Sequence, residues 1–222
     1  MMSTMFIELV DRILESYEYS FNNHVARRPS PQTWNKQEAI LTAALRLFVE
    51  RGYHGTAVPE VADAAGVAAG TIYHYFESKA ALVNALYRHW KQTVTRAIHA
   101  SFPATAAPRQ QFAAIWREMS TFATANPEAF AFLELHHHGS YLDDESLRLD
   151  ASLRDFGAAF VKNAQLAGVV KPMDPRLLME LVFGAFIGVL RARWERRAFV
   201  DDDALVKAEA ATWDAIAVHP AG

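Results

Sequence analysis

The chain contains no cysteine among its 222 residues. That excludes disulfides, zinc–thiolate sites and cysteine nucleophiles, and it suits a reducing cytosol. No apolar run approaches the ~18 residues that a membrane helix needs. The N-terminal stretch carries Glu8, Asp11, Glu15 and Glu18 and lacks the basic start of a secretory signal. A soluble, cytoplasmic protein with no membrane partner is expected. Sustained strand alternation between turn signals is missing, as are internal repeats and low-complexity segments. Also missing are a glycine-rich phosphate loop, a nucleophile elbow and a metalloprotease motif. No enzyme is therefore expected, and no catalytic residue, cofactor or metal is assigned.

What is present is a chain that is 51% hydrophobic, enough to bury a sizeable core. The net charge of -3 conceals an asymmetry. Residues 25–96 hold nine Lys/Arg against five Asp/Glu, whereas 97–222 hold twelve against sixteen and 1–24 hold one against four. Only the segment 25–96 suits a polyanion, because phosphate contacts need local positive charge rather than a basic whole protein.

Apolar residues recur at helical spacing almost throughout, which predicts an all-α fold. Phe6, Leu9, Val10, Ile13, Leu14 and Tyr17 form one stripe of an amphipathic helix. Residues 22–34, with Pro29 and Pro31, read as an extended linker, so 1–34 forms an extension ahead of the first domain. A helix is expected from Asn35 or Lys36, burying Ile40, Ala44, Leu47 and Phe48 and ending at Gly52. Thr56 is positioned to cap a second helix, with Pro59 in its first turn. Gly66 makes a turn into a short third helix ending at Tyr75, and Ser78 is positioned to cap the fourth. Beyond the Pro/Ala-rich break at 102–108, helices are expected over 109–125, from Asn126-Pro127, from Asp143 or Asp144 to Gly168, from Asp174-Pro175 to about Arg197, and from Asp201–Asp203 to about Val218.

The residues Ile40, Ala43, Ala44, Phe48, Gly52, Tyr53, Thr56, Val61, Ala62, Ala65, Gly66, Val67, Gly70, Thr71, Tyr73, Tyr75, Phe76, Ser78, Lys79 and Leu82 stand at a recognisable spacing. The run Gly66-Val67-Ala68-Ala69-Gly70-Thr71-Ile72-Tyr73-His74-Tyr75-Phe76-Glu77-Ser78-Lys79 is its most specific part. This segment resembles the DNA-binding domain of the TetR family of transcriptional regulators (the AcrR-like regulators). The resemblance implies an N-terminal three-helix DNA-binding domain over 35–82 containing a helix-turn-helix. It also implies a C-terminal helical domain over 83–222 for effector binding and dimerisation. The implied function is sequence-specific binding of double-stranded operator DNA. The implied mode is a cytoplasmic homodimeric repressor, released by a small-molecule effector.

Positions matching Thr56, Ala69, Gly70, Thr71, Tyr73, His74 and Lys79 commonly face DNA in that family. The chemistry of the residues agrees. Two short helices around a tight turn let the second enter the major groove. Gly70 and Thr71 are small enough for close approach. Thr71 offers a hydroxyl and Tyr73 a phenol to phosphate or base edge. Lys79 brings charge to a helix start, where free N–H groups also favour a phosphate. The family often has Ser, Thr or a charged residue where this chain has Ala68 and Ala69. Neither alanine can donate to a base, although Ala69 can touch a thymine methyl. Arg27 and Arg28 read either as a basic arm for the minor groove or as two solvated arginines. His74 reads as a base contact or as an exposed side chain, and Tyr75 and Phe76 as core.

In the C-terminal part, Leu177, Leu178, Leu181, Val182, Phe186, Val189 and Leu190 form a wide apolar face, with Gly184 and Gly188 one turn apart. Leu178, Leu181, Val182, Gly184, Phe186, Gly188 and Val189, with Trp213 and Ile216 of the last helix, are assigned to a homodimer interface. Intramolecular packing is the competing assignment. Two-fold symmetry would set two reading helices roughly 34–36 Å apart, about one DNA turn. An apolar or aromatic effector is expected, with Trp116, Met119, Phe122, Phe130, Phe160 and Phe183 as apolar lining and Glu134, His137 and Tyr141 as polar groups. His136-His137-His138 cannot all face one ion, since successive helical residues point about 100° apart; Glu134 and His138, one turn apart, read either as two ligands of a shared metal or, in preference, as exposed or hydrogen-bonded side chains near a helix end. A partner-binding helical module without DNA activity is the other functional class that this pattern permits.

Overall fold

A computed structural model describes residues 31–136 and 138–219; for residues 31–35 only the backbone is described. The amphipathic stripe at 6–17, Arg27, Arg28 and His137 lie outside the described residues. The fold is all-α. Among the described residues there are nine helices: α1 Pro31–Arg51, α2 Val58–Ala65, α3 Ala69–Tyr75, α4 Lys79–Ser101, α5 Pro108–Ala125, α6 Pro127–Leu135, α7 Asp144–Leu166, α8 Pro175–Trp194 and α9 Asp202–Ile216.

The first of these begins at Pro31, four residues before the expected start, so residues 31–34 are helix rather than linker. Proline is tolerated there, because the first-turn N–H that it lacks has no intrahelical acceptor anyway. At the other end of the chain, α8 stops at Trp194 rather than near Arg197. Gly52 and Gly66 both take positive φ, 70° and 66°, closing α1 and α2 in the left-handed region that glycine enters without a Cβ clash.

Thr56 is not the cap of α2. The cap position is Ala57, whose N–H donates to Glu60 Oε2 at 2.8 Å. Thr56 instead turns inward and donates its hydroxyl to the Leu47 and Gly52 carbonyls at 3.1 and 2.9 Å. These two bonds hold the side chain against the end of α1, one residue before the cap position of α2, and it makes no capping bond to that helix. Ser78 does cap α4, accepting from Ala81 N–H at 3.1 Å. Asp174 and Asp201 cap α8 and α9 in the same way. Asn126 holds the cap position of α6, but its side chain makes no capping bond.

The described residues form two compact units. One, the reading unit, comprises 31–94 and 125–150, and the other, the bundle unit, comprises 95–124 and 151–219. The expected division between 82 and 83 falls inside the continuous helix α4. In the reading unit, Ile40, Phe48, Val61, Ile72, Leu82 and Phe132 are essentially inaccessible. Phe48 stacks on Phe132 with ring centroids 6.3 Å apart, which draws α6 into the same core as α1. Each such side chain contributes about 1.5–3 kcal/mol by leaving water. In the bundle unit, Phe112, Trp116, Phe160, Leu178, Phe186 and Leu190 are buried. The end of α9 is tied by an isolated antiparallel bridge between Val170 and Ala217. Glu209 of α9, itself buried, accepts from Arg109 through both carboxylate oxygens.

Candidate nucleic-acid interface and effector cavity

Helix α3 is seven residues long and stays helical because Ile72 anchors it in the core. Its buried residue faces inward, which turns Ala69, Gly70, Tyr73 and His74 to solvent. Tyr73 is 53% exposed, unusual for so large an apolar ring. Thr71 is half-buried beside this face, Phe76 is core and Tyr75 is half-buried. Six of the seven residues assigned to DNA therefore lie at or near the surface of one short segment. Thr56 does not, since it is 2% exposed with its hydroxyl spent on two carbonyls. The inward turn of its side chain removes it from the set of side chains that could meet a phosphate.

Lys79, the first residue of α4, has its ammonium 4.3 Å from the centre of the Tyr53 ring. Burial lowers its pKa from the ordinary value, and Glu60 opposes that by charge attraction. Tyr53 in turn stacks on Tyr141, with centroids 4.3 Å apart and ring planes 19° from parallel. Tyr141 was expected to line an effector site; its ring is used instead to support Tyr53.

Tyr141 belongs to a polar network that sequence reasoning did not find. Asn84 of α4 donates to the Ala80 carbonyl at 2.9 Å and to the Tyr141 carbonyl at 2.7 Å, while its oxygen accepts from Asp143 N–H at 2.9 Å. Arg88 pairs with Asp143 at 2.7 Å. His138 is buried, and its Nε2 lies 2.6 Å from the Phe132 carbonyl, which can only accept. That places the ring proton on Nε2 and leaves Nδ1 to accept from the Tyr141 hydroxyl at 2.8 Å. Burial pushes the His138 pKa down to about 4, against a smaller opposing contribution from its bond to Phe132. Burial likewise pushes the Tyr141 phenol up to about 12, with the neighbouring Tyr53 adding to it.

Deeper in the same unit, Lys91 is 5% exposed and bridges Glu134 at 3.2 Å and Asp150 at 3.1 Å. Tyr87 donates to Asp150 at 3.0 Å. Burial works against the Lys91 ammonium, but Glu134, Tyr87 and Asp150 together outweigh it and raise its pKa. Glu134 is thus half of an internal ion pair rather than a polar group in an effector pocket. Among the described residues no cluster of three metal-ligating side chains occurs. The one signal for this network in the sequence was Asn84 itself, a polar residue inside the apolar stretch Leu82-Val83-Asn84-Ala85-Leu86.

A cavity of about 100 Å³ lies in the bundle unit. It is lined by Phe112, Ile115, Trp116 and Met119 of α5, Gly157, Phe160 and Val161 of α7, Met179, Val182, Phe183 and Phe186 of α8, and Ile216 of α9. Four of the residues assigned to an effector, Trp116, Met119, Phe160 and Phe183, are among them. Phe122 is buried elsewhere in the same unit, and Phe130, Glu134 and Tyr141 belong to the reading unit. All four were grouped by their chemistry, and helical spacing alone does not tell which helix faces which.

The residues assigned to a dimer interface also divide. Leu178, Phe186, Trp213 and Ile216 are buried in the core of their own unit, so they are not available to a second copy. Leu181, Gly184 and Gly188 are exposed, while Val182 and Val189 are half-buried. Leu177 and Ala185 join the exposed stripe. These residues fall at i, i+4, i+7, i+8 and i+11 on α8, one face of a helix.

The family model described as "Bacterial regulatory proteins, tetR family" matches residues 40–86. A second, "Tetracyclin repressor-like, C-terminal domain", matches residues 87–218. The chain belongs to the TetR family. A crystal structure of a protein assigned to that family from Shewanella sp. PV-4 is 30% identical, covers 83% of this chain and 99% of that one, and superposes with a TM-score of 0.67. The transcriptional repressor KstR2 of Mycobacterium tuberculosis is 28% identical over 129 residues. That alignment covers 57% of this chain and 59% of KstR2, so it spans little more than half of that relative. The transcriptional regulator RutR of Escherichia coli O157:H7 is 29% identical over 154 residues, covering 68% of this chain and 71% of RutR.

Proposed function

We propose that this TetR family protein binds operator DNA as a homodimer, represses transcription by occupying its site, and is released by a small apolar or aromatic ligand. One observation carries the reading: Ala69, Gly70, Tyr73 and His74 share the solvent face of α3, held there by the buried Ile72. A short helix presented this way, after a glycine turn, has the geometry for entering a major groove. Tyr73 and Lys79 supply phosphate contacts, Thr71 supplies a hydroxyl, and Ala69 an apolar contact for a thymine methyl. With two alanines at the start of α3, shape and backbone contacts carry much of the discrimination. Relatives named as a repressor and a regulator support the same class.

The exposed stripe Leu177, Leu181, Gly184, Ala185 and Gly188 is the part of α8 that a second copy would cover. Small residues on that stripe allow close helix approach, and a two-fold axis pairs the stripe with itself. The cavity supplies the effector site of the same protein. A ligand that favours a different separation of the two reading helices lowers DNA affinity by its differential affinity for the two states.

The test is selection of bound sequences from a random duplex pool at fixed salt, with Thr71→Ala/Tyr73→Ala as control. The expected outcome is a two-fold-symmetric site that the control does not enrich. A folded dimer that enriches no sequence would replace this reading with a partner-binding helical module.

A further inference from the structure

Among the described residues of the bundle unit, three buried side-chain polar atoms have no hydrogen-bond partner: Arg193 Nη1, which has the Asp202 carboxylate 3.6 Å away, and Trp116 Nε1 and Ser120 Oγ, which stand together on α5. Trp116 is 5% exposed and Ser120 8% exposed. They stand four residues apart on α5, one above the other on the same helix face. A buried donor left unmade is costly, and native proteins rarely leave one without a reason. Trp116 lines the cavity, and it is the only residue of that lining whose side chain carries an N–H or O–H. No charged residue lines the cavity, so an ionised ligand would lose its hydration and meet no counter-charge.

Size narrows the choice further. About 100 Å³ is smaller than a dry engineered cavity of ~150 Å³ that takes benzene. A single ring with a carbonyl group therefore enters only as the wall yields, which the unbranched thioether side chains of Met119 and Met179 allow. Met179 packs directly over Gly157, in the space that any Cβ at that position would fill.

We propose that this cavity takes a neutral, compact, mainly apolar molecule of about one ring, carrying a single carbonyl-type acceptor that receives the Trp116 indole N–H. The wall supplies apolar burial for the ring, and the N–H supplies orientation. Ser120, one turn away, is the second donor within the same stretch of α5. This inference rests on the bundle unit being the effector part of the regulator, and the measurements below separate the two.

Binding of acetophenone, its hydrocarbon isostere α-methylstyrene and the anion benzoate would be measured on the full chain without DNA. Acetophenone is expected to bind roughly tenfold tighter than α-methylstyrene, the ratio that one recovered hydrogen bond gives, and benzoate is expected not to bind. Trp116→Phe should keep α-methylstyrene binding and lose most of the preference for acetophenone. In the wild-type protein, which needs no variant to fold, one indole ¹H–¹⁵N resonance should move downfield with acetophenone and stay with α-methylstyrene. Equal binding of the two neutral probes, tighter binding of benzoate, failure of both neutral probes to bind, or an unchanged preference in Trp116→Phe would each overturn the proposal. Acetophenone that binds as expected but leaves operator affinity unchanged would overturn the effector reading and keep the site.

Discussion

The buried polar side chains around Asn84, His138 and Lys91 are treated differently from those beside the cavity. In the reading unit, Asn84 makes three hydrogen bonds, His138 uses both ring nitrogens, and Lys91 holds two carboxylates. In the bundle unit, Gln111 and Glu209 are satisfied, but Trp116 Nε1 and Ser120 Oγ are not. A saturated network fixes one arrangement, because every alternative leaves a buried group unmade. An apolar wall with a spare donor fixes little and leaves something to be completed. Under the proposed function, the first suits a unit that holds Tyr53 and Lys79 at one geometry to meet a phosphate. Under the same proposal, the second suits a unit whose state changes when a ligand arrives.

The contrast can be broken by mutation, and the greatest loss is expected at Lys91. Lys91→Ala leaves Glu134 and Asp150 without their cation and should cost about 3–5 kcal/mol in urea unfolding. A loss below 1 kcal/mol would mean that the triad is not closed in solution. Acid should act next. His138 has its folded pKa depressed to about 4, so the folded state stays neutral while the unfolded chain takes up a proton below its ordinary 6.5. The stability is fully present above that ordinary value and is lost as the pH falls from it toward 4, by on the order of 3 kcal/mol. His138→Gln should flatten this part of the pH profile, leaving the carboxylate-driven loss at lower pH.

Asn84→Ala removes the clamp on the Tyr141 carbonyl and Asp143 N–H, and should cost about 1–3 kcal/mol. It should also weaken operator binding, because Tyr141 supports the ring beneath Lys79. Ser120→Ala is the counterpart in the bundle unit. It deletes an unmade hydroxyl and should be neutral or stabilising by up to about 1 kcal/mol. Equal losses from Asn84→Ala and Ser120→Ala would erase the distinction between the units. Lys79→Ala leaves stability within about 0.5 kcal/mol and lowers the salt slope of operator binding by about 1.

Much of this architecture was legible in the chain. Glycines at 52 and 66, the Ser78, Asp174 and Asp201 caps, and the spacing of Ile40, Phe48 and Leu82 placed the helices, because each signal acts within a few residues. The solvent face of α3 came from the family resemblance: spacing alone left Tyr73 open between core and surface, and the burial of Ile72 with the exposure of Tyr73 decides it. Apart from the start of α1 and the end of α8, the misplacements concern contacts outside a residue's own helix. Thr56 has the chemistry of a cap, but it stands one residue before the cap position and donates its hydroxyl to the end of α1. Tyr141 and Glu134 have the chemistry of pocket groups, and packing gives them to Tyr53 and Lys91. Leu178 and Phe186 stand on the same helix as Leu181 and Gly184, one turn apart in places, yet one set is core and the other is surface.

Helix periods, turn glycines, caps and the helix-turn-helix pattern follow from local sterics and from the burial of one helix face, so the order of residues along the chain was sufficient for them. Which face meets which partner depends on how side chains from distant segments fill a shared volume. Asn84 finds its acceptor and its donor 57 and 59 residues away, and Arg109 finds Glu209 across 100. Those pairings, the cavity and the division of α8 into core and surface exist only once the helices are packed, because each depends on the shape that the others leave.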